Sequence, residues 1–547
     1  MNHRQERPHV TGDHLRSFDP HPTQAVGKIR RSHGQRSPEV ESGERTKRLL
    51  GLFGGLVLAL GVYFLLPAED LSDAARLTAA TAVLMGVWWM TEALPIPATA
   101  LLPLAIFPVF NSEVTFNDVG AFYGNNIIFL FMGGFLLALA MQRWDLHRRI
   151  ALLTLKVMGT RPSAMIAGFM IATGFLSMWV SNTATAVMML PIGVSVLTLV
   201  LNIGKDSPQP QQTEDSESAT PSGEEEQEEV RQEIVKSNFG TALMLGIAYA
   251  ASIGSLATLI GTPPNTLLRG YLSDTHGVEI GFGQWMLVGL PIAVVGLVIC
   301  WFMLTQVLFR PEITEIPGGR ELIRTEMQAL GKMSSGEIRV LIIFVLAAVS
   351  WISLPLIFGE SAPISDAGIA IVVGLLLFLL PAGAKKGVRL LDWDTAVKLP
   401  WGVLLLFGGG LALSGQFTSS GLTDWIGTQA AVLEGIPVWL IVALVACLVL
   451  FLTELTSNTA TAATFLPVAG GVAVGMGLDP MLLAIPVALA ATCAFMLPVA
   501  TPPNAIAYGS GYVTIGQMVK GGFFLNLIFL VLITALTMTL VIWVFTL

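Results

Sequence analysis

The chain has 547 residues, of which 53% are hydrophobic and only 12% are charged, and its formal net charge is −8. A soluble globular protein carries about twice that charged fraction. Apolar runs of about 18 residues or more recur along the chain, each long enough to cross a bilayer core as a helix. The composition therefore excludes a soluble globular protein and predicts an all-α polytopic membrane protein.

The chain begins with a polar segment. Residues 1–46 are basic and rich in Pro, Gly, Ser, His and Arg, without periodic apolar residues, which predicts a disordered cytoplasmic tail. A cleavable signal peptide is not expected, because residues 48–66 are a full first transmembrane helix with no small-residue cleavage site after it.

The remaining chain divides into two similar halves. We predict about eleven crossings and two re-entrant hairpins, because apolar runs of spanning length are punctuated by Pro and Gly. The first repeat covers 74–309 with a hairpin at 162–202, and the second covers 338–547 with a hairpin at 436–475. The remaining predicted spans are 74–92, 94–110, 125–142, 238–272, 284–309, 338–357, 365–381, 401–418, 481–512 and 521–547.

Lysine and arginine predict the orientation. With the tail inside and both hairpins re-entrant, all but two of the 30 Lys and Arg residues fall on the cytoplasmic side, the exceptions being Arg76 and Arg269. The positive-inside rule favours this arrangement. It places the N-terminus in the cytoplasm and the C-terminus outside an inner or plasma membrane. The hairpins then enter from opposite faces, so the two repeats are related by inversion.

Two cytoplasmic segments interrupt the apolar pattern. The insert 204–236 is acidic and rich in Ser, Gln and Pro, which predicts a solvated loop. Residues 310–337 mix charged and apolar residues, and we expect them to form an interfacial linker between the halves.

The strongest signal is a repeated motif. Ser-Asn-Thr-Ala-Thr occurs at Ser181–Thr185 and again at Ser457–Thr461. A hydroxyl residue precedes each copy by four positions, and Thr-Pro-Pro-Asn follows each copy, after Gly261 and after Ala500. Polar residues inside membrane segments are costly, so their twinned recurrence predicts a transport site. Inverted repeats usually place the substrate near the bilayer midplane, between broken helices.

These residue types suit a cation beside an anion. Sodium is a hard cation that prefers oxygen ligands, and each motif offers side-chain oxygens and carbonyls freed by the Pro-Pro break. Amino termini of half-helices and the Asn and Thr donors could bind a carboxylate. Glu454 is either functional or a carboxyl hydrogen-bonded within its own hairpin. The oxygen donors expected for the cations are Ser177, Ser181, Asn182 and Gly261 in one half, and Thr453, Ser457, Asn458 and Ala500 in the other.

At these motifs the chain resembles the divalent anion/sodium symporter family, the di- and tricarboxylate transporters, over residues 48–547. The resemblance implies two sodium sites made from the two sets of oxygen donors above, with two or more coupled ions. It also implies a homodimer in the lipid bilayer, in which each protomer has a scaffold and a mobile transport domain that moves by an elevator mechanism. The dicarboxylate would contact Asn182, Thr183, Asn458 and Thr459, with Thr262, Thr501 and Pro502 nearby.

The expected function is sodium-coupled symport of a C4-dicarboxylate such as succinate, malate or fumarate. No Lys, Arg or His lies in 163–202 or 436–475, which favours cation coupling over exchange. The alternatives are a dicarboxylate exchanger, or a sodium-coupled carrier of citrate, sulfate or another oxyanion. A channel could use the same hairpins. An enzyme is not expected, because the sequence shows no nucleophile–base pair and no set of metal ligands. A nucleic-acid partner is not expected either.

Overall fold

The structure is a computed structural model that describes residues 42–159, 161–205, 237–313, 315–316, 318–358, 362–433 and 435–547. These residues form helices joined by turns, with no β-strand among them apart from one isolated bridge between Pro381 and Arg389. The predicted all-α class is confirmed. The predicted tail and acidic insert lie almost entirely outside the described residues.

Over the described residues, the first half contains twelve α-helices, several of them shorter than a membrane span. They are α1 (Ser42–Leu65), α2 (Asp73–Thr91), α3 (Ile96–Thr99), α4 (Leu102–Phe110), α5 (Phe116–Ala121), α6 (Asn126–Arg143), α7 (Leu146–Met158), α8 (Pro162–Ser177), α9 (Asn182–Lys205), α10 (Asn238–Ser255), α11 (Pro263–His276) and α12 (Phe282–Phe302).

The linker and the second half contain twelve further helices over the described residues. They are α13 (Gly319–Leu330), α14 (Ser335–Phe358), α15 (Asp366–Leu379), α16 (Trp393–Ala396), α17 (Trp401–Ser419), α18 (Leu422–Gln429), α19 (Val438–Thr453), α20 (Asn458–Gly475), α21 (Met481–Thr492), α22 (Pro502–Gly509), α23 (Ile515–Leu536) and α24 (Ile542–Phe545).

The helices of the described residues differ widely in length. Seven helical segments of the described chain are long and apolar enough to cross a membrane. The first arms of the two predicted hairpins, α8 and α19, have only 16 residues each. A helix of that length covers about 24 Å, less than the roughly 30 Å of a hydrocarbon core. The last residues of these two arms, Ser177 and Thr453, are fully buried inside the protein.

Lipid-facing and protein-facing sides are separated on α1. Its buried residues are only Gly51, Gly55 and Ala59, spaced four apart. A Cβ on Gly51 would lie 2.0 Å from Oγ1 of Thr91, and one on Gly55 would lie 2.6 Å from Nε1 of Trp88. Small residues at this spacing let two membrane helices approach closely. The opposite side of α1 exposes large apolar side chains, as a lipid-facing surface requires.

Two helices flank the first hairpin and the linker. The amphipathic helix α7 was not predicted, because its basic residues look like part of a loop. Helix α13 lies within the predicted interfacial linker, and α7 packs against both α13 and hairpin arm α8. Buried Arg149 of α7 donates to Glu337 at the start of α14, with Nε 2.7 Å from Oε1. A buried charge needs such a partner.

A second buried ion pair joins the two halves. Arg269, on α11, places Nη1 2.9 Å from Oδ2 of Asp366 at the start of α15. The same carboxylate accepts the backbone N–H of Phe282 at 3.3 Å. Arg269 is 8% exposed and Asp366 6% exposed, so each charge depends on the other. This pair connects the middle of α11, the helix that begins within the first Thr-Pro-Pro-Asn motif, to the start of α15.

Candidate functional site

The first repeated motif forms a break between two helices. Helix α8 ends at Ser177 and α9 begins at Asn182. The fully buried Ser177 hydroxyl lies 2.8 Å from Oδ1 of Asn182 and 2.6 Å from the carbonyl oxygen of Ala251 on α10. We call residues 177–183 the first tip.

The second motif reproduces this geometry with threonine in place of serine. Helix α19 ends at Thr453 and α20 begins at Asn458. The Thr453 hydroxyl lies 2.8 Å from Oδ1 of Asn458 and 2.8 Å from the carbonyl oxygen of Ala491 on α21. We call residues 453–459 the second tip. The two halves therefore build the same three-oxygen cluster from matched positions.

Each cluster holds more acceptors than donors. A hydroxyl carries one proton, so Ser177 can donate to Asn182 or to Ala251, but not to both at once. The same count applies to Thr453. A buried group of three oxygens with a single proton is electron-rich, and hard cations such as sodium take oxygen ligands. The donor set thus fits sodium chemically in both halves. Among the described residues, no cluster of His, Cys, Asp or Glu offers an alternative metal site.

A non-helical segment faces each tip. Residues 256–262 separate α10 from α11, and residues 493–501 separate α21 from α22. In the first segment, Asn265 donates through Nδ2 to the carbonyls of Thr258 at 2.9 Å and Leu256 at 3.3 Å. In the second, Asn504 donates to the carbonyls of Leu497 at 3.1 Å and Ala494 at 3.2 Å. The last residue of each Thr-Pro-Pro-Asn motif therefore stabilises the broken helix before it.

Among the residues that the structure describes, the amide oxygens of these two asparagines have no hydrogen-bond partner. Oδ1 of Asn265 and Oδ1 of Asn504 are both buried without a hydrogen bond. Their orientation is fixed, because the neighbouring carbonyls can only accept and so require the amide nitrogen. Leaving a buried acceptor unpaired costs about 1–3 kcal/mol. Both segments thus carry one more unpaired oxygen, again at matched positions.

The predicted threonines at the motif starts behave differently in the two halves. Thr262 precedes α11 without capping it, and its Oγ1 lies 3.5 Å from Oγ1 of Thr492 at the end of α21. Thr501 instead caps α22 by accepting the backbone N–H of Asn504 at 3.3 Å. The Thr262–Thr492 contact joins the two broken helices across the halves. Helix α11 packs on α20, and α22 packs on α9, so each motif meets the tip helix of the other half.

Accessibility differs among the predicted substrate contacts. Thr183 and Pro502 are exposed, whereas Asn182 and Asn458 are half-buried. Thr262, Thr459 and Thr501 are buried. The two asparagines therefore lie at the boundary between the buried oxygen clusters and the accessible surface, where one side chain can contact both an ion and a substrate.

The predicted cation ligands are brought together more completely in the first half. Asn182 donates through Nδ2 to the Ser255 hydroxyl at 3.3 Å, and Gly261 lies against the backbone of Ser255. In the second half, Ala500 lies in the facing segment, but among the described residues no hydrogen bond connects Asn458 to residues 493–501. Ser181 and Ser457 are half-buried at their tips.

Glu454 has a role that the sequence left open. Its carboxylate accepts the backbone N–H of Phe495 at 2.7 Å and of Leu497 at 3.1 Å, and both its oxygens contact the N–H of Met496. Asn526 donates to Oε1 at 2.6 Å. Of the two alternatives, a hydrogen bond within its own hairpin is not found, since every described partner lies outside 436–475. Glu454 therefore connects the second tip to the facing segment.

Several residues of the site were missed by sequence reasoning. Ala251 and Ala491 contribute backbone carbonyls, which have no sequence signature. Ser255 and Thr492 are the last residues of largely apolar helices, and only their burial identifies them. Asn265 and Asn504 were visible in the motif, and their identical position after Pro-Pro could have indicated a paired structural role.

Substituting Gly261 tests the close approach at the first segment. A Cβ at this position would lie 2.3 Å from the carbonyl oxygen of Ser255, so the Gly261→Ala variant must shift the backbone beside Asn182. Overpacking of this kind costs about 1–3 kcal/mol, and we expect about a 5-fold or larger loss of transport activity. The matched control is Ala500→Gly, which removes a methyl group at the equivalent position of the second half and should reduce uptake less. Equal losses of transport activity in Gly261→Ala and Ala500→Gly would contradict the view that the close backbone approach matters only in the first half.

Comparison with known sequences identifies related proteins. Residues 46–547 match the profile of a family described as the sodium:sulfate symporter transmembrane region. A sodium-dependent dicarboxylate transporter, SdcS, from Staphylococcus saprophyticus is 43% identical over 493 residues, which cover 89% of this chain and 90% of that protein. The protein of the same name from Staphylococcus aureus is 42% identical over 492 residues, with the same coverage.

Solved structures share the fold at low sequence identity. The YdaH transporter of Alcanivorax borkumensis has a TM-score of 0.51 and 13% identity, over 84% of this chain and 97% of that one. MtrF of Neisseria gonorrhoeae, described as an antimetabolite efflux pump, has a TM-score of 0.51 and 14% identity, over 90% and 98% of the two chains. These similarities concern the helical fold alone.

Proposed function

The chain belongs to the sodium:sulfate symporter family, and from that membership and the geometry of the two tips we propose that it is a secondary active transporter that couples sodium to the movement of a C4-dicarboxylate. Its substrate would be succinate, malate or fumarate. The observation that carries this proposal is the pair of matched three-oxygen clusters around Ser177 and Thr453. Relatives at 42–43% identity that are named sodium-dependent dicarboxylate transporters support the choice of ion and substrate.

Sodium would bind beside each tip. In the first half, Ser177, Ser181 and Asn182 would supply side-chain oxygens, and Gly261 a backbone carbonyl. In the second half the corresponding residues are Thr453, Ser457, Asn458 and Ala500. A cation that approaches the first cluster would rotate the Ser177 proton toward Ala251 and coordinate the lone pairs left facing Asn182. Binding would thereby satisfy the cluster oxygens that cannot all receive the single hydroxyl proton.

The dicarboxylate would bind between the tips. Each asparagine amide has both an acceptor and a donor, so Asn182 and Asn458 could each face an ion through Oδ1 and a carboxylate through Nδ2. Thr183 and Thr459 would donate hydroxyl protons to the carboxylates. Thr262, Thr501 and Pro502 would line the approach. The bound cations would offset the double negative charge, and this dependence of anion binding on cation binding is what couples the two fluxes.

The orientation and assembly belong to the same proposal. We place the N-terminus in the cytoplasm and the C-terminus outside the plasma membrane, because the basic residues cluster on one side. The two repeats would be related by inversion, and the tips would enter from opposite faces. We further propose a homodimer in which the tip helices move as one body against a scaffold, as family membership suggests.

A sodium-gradient uptake assay tests this function. Purified protein in proteoliposomes should accumulate succinate when the outside buffer contains sodium, and uptake should fall to the level of empty liposomes when choline replaces sodium. Malate and fumarate should compete with labelled succinate more strongly than sulfate or citrate. Equal uptake in sodium and choline would exclude sodium coupling, and would favour exchange if internal dicarboxylate then stimulated the flux.

A further inference from the structure

A groove lies between helices α7 and α13, outside the transport site. Its volume is about 890 Å³, and its lining includes the apolar side chains of Leu155, Ile323 and Met327. Leu155 and Ile323 are buried, so they form a floor rather than a rim. An apolar floor of this size can hold the hydrocarbon part of a bound molecule.

The walls of the groove are basic. Lys156, Arg320, Arg324 and Lys332 line it together with a single acidic residue, Glu321, which gives a formal net charge of four minus one, or +3. Glu321 lies 3.6 Å from Arg324 and partly neutralises it. The other three basic side chains are exposed and form no ion pair with any described residue. The groove thus has unpaired positive charge above an apolar floor.

The groove lies at the edge of an apolar surface. Next to Lys156 on α7, Val157 is 83% exposed. Lys332 is followed by Met333, which is 38% exposed, and α14, a helix of membrane-spanning length, begins at Ser335. Basic side chains beside exposed apolar ones at the start of a membrane span are typical of the boundary between headgroups and acyl chains.

We propose that this groove binds the phosphate headgroup of an anionic phospholipid from the leaflet on the side of α7 and α13. Lys156, Arg320 and Lys332 would contact the phosphate, and the start of an acyl chain would lie on the apolar floor and pass over Val157. Basic pockets at the membrane surface recognise anionic headgroups, because the local charge adds to the hydrophobic contact. The groove shares no residue with the transport site, so the proposal does not depend on which substrate the protein carries.

Lipid in this groove would contact the supports of the first hairpin. The side chains of Leu155 and Met158 on α7 pack close to Gly168 of arm α8. A Cβ at Gly168 would lie 3.3 Å from Leu155 and 2.9 Å from Met158. Gly319, the first residue of α13, approaches the Met165 side chain of the same arm. A bound headgroup that bridges α7 and α13 would therefore stabilise the base of the hairpin whose far end is the first tip.

Native mass spectrometry of the full-length protein, titrated with dioleoyl phosphatidylglycerol or dioleoyl phosphatidylcholine, tests the site. We expect phosphatidylglycerol to bind more tightly than phosphatidylcholine. The Lys156→Gln/Lys332→Gln variant should weaken binding of the first phosphatidylglycerol by about 30-fold, because each basic residue near an anionic surface contributes about a factor of five to ten. The matched control is Lys385→Gln/Lys386→Gln, which removes two lysine charges from another exposed loop. It should leave the affinity for the first phosphatidylglycerol unchanged.

Two results would overturn the proposal. One is an equal loss of phosphatidylglycerol binding in both double variants, which would indicate non-specific attraction to surface charge. The other is phosphatidylglycerol binding that appears only after Glu224, Glu225, Glu226, Glu228 and Glu229 are replaced by glutamine. That result would make the acidic segment of the chain itself the occupant of the groove.

Discussion

Replacing Asn182 or Asn458 by alanine is expected to abolish sodium-dependent succinate uptake. Each substitution removes the amide oxygen that lies 2.8 Å from a buried hydroxyl, together with the amide donors proposed for the carboxylate. Hydrogen bonds to charged groups contribute about 1.5–3 kcal/mol each, so the loss of contacts to both ion and substrate should reduce uptake by about 100-fold or more. Initial rates in proteoliposomes, normalised to reconstituted protein, measure the effect.

The control for this pair is Asn238→Ala. Asn238 lies at the exposed start of α10, and its side chain makes no hydrogen bond to a described residue, so its removal should leave uptake within about 2-fold of wild type, as expected for a surface position. The sodium dependence separates a site defect from misfolding, because a folded but ion-deficient variant should recover part of its activity at high sodium concentration. Wild-type uptake by Asn182→Ala and Asn458→Ala would remove both residues from the site.

Glu454→Gln is expected to destabilise the protein and to eliminate most of its activity. The carboxylate accepts from three consecutive backbone N–H groups and from Asn526. A glutamine amide offers only one acceptor oxygen and directs N–H groups toward donors that need acceptors. Each buried donor left unpaired costs about 1–3 kcal/mol. A loss of about 4 kcal/mol corresponds to a fall of about 4 °C in Tm for a chain of this size.

Two further variants provide an intermediate case and a control for Glu454→Gln. Asn526→Ala removes only one of the donors to Glu454 and should lower Tm less than Glu454→Gln. Glu113→Gln makes the same chemical change at an exposed carboxylate in a loop and should leave Tm and uptake unchanged. Thermal unfolding of the detergent-solubilised protein measures all three. A Glu454→Gln variant as stable and active as Glu113→Gln would show that the facing segment does not need this carboxylate.

The halves support their tips in chemically different ways. At the position of Glu454 the first half has Met178, whose backbone carbonyl accepts the Thr258 hydroxyl at 2.5 Å. One half therefore connects tip and facing segment through a neutral hydrogen bond, and the other through a charged one. Gly261 also packs closely against the backbone of Ser255, a contact that has no equivalent at Ala500, where the side chain is a methyl group. This asymmetry predicts that the two proposed cation sites differ in affinity even though their oxygen clusters match.

Helix positions could be predicted from the sequence because the membrane imposes long apolar runs. The bounds of α6, α15 and α17 lie within a few residues of the predicted spans. Helix α7 was missed because the basic residues of its first turn, His147–Arg149, were interpreted as part of a cytoplasmic loop. The Pro-Pro pairs predicted a helix break just before α11 and α22, because proline disrupts the preceding turn. They could not predict that the preceding helices end earlier, at Ser255 and Thr492.

The tips were predictable only in part. Repetition of Ser-Asn-Thr identified Asn182 and Asn458, because polar residues inside a membrane are rare and need a reason. The carbonyls of Ala251 and Ala491 could not be predicted, since every residue has a carbonyl and only the tertiary fold selects one. Most partners of Glu454 were unpredictable for the same reason, as they are backbone N–H groups about forty positions further along the chain.

Succinate-driven movement of sodium tests the central claim most directly. Proteoliposomes are placed in buffer with radioactive sodium, at equal sodium concentrations inside and outside. When succinate is added outside, they should take up labelled sodium, with a fixed ratio of sodium ions to succinate molecules taken up. The Asn182→Ala and Asn458→Ala variants should show neither flux. Succinate entry without accompanying sodium in the wild-type protein would contradict the proposal that the two tips couple cation and dicarboxylate.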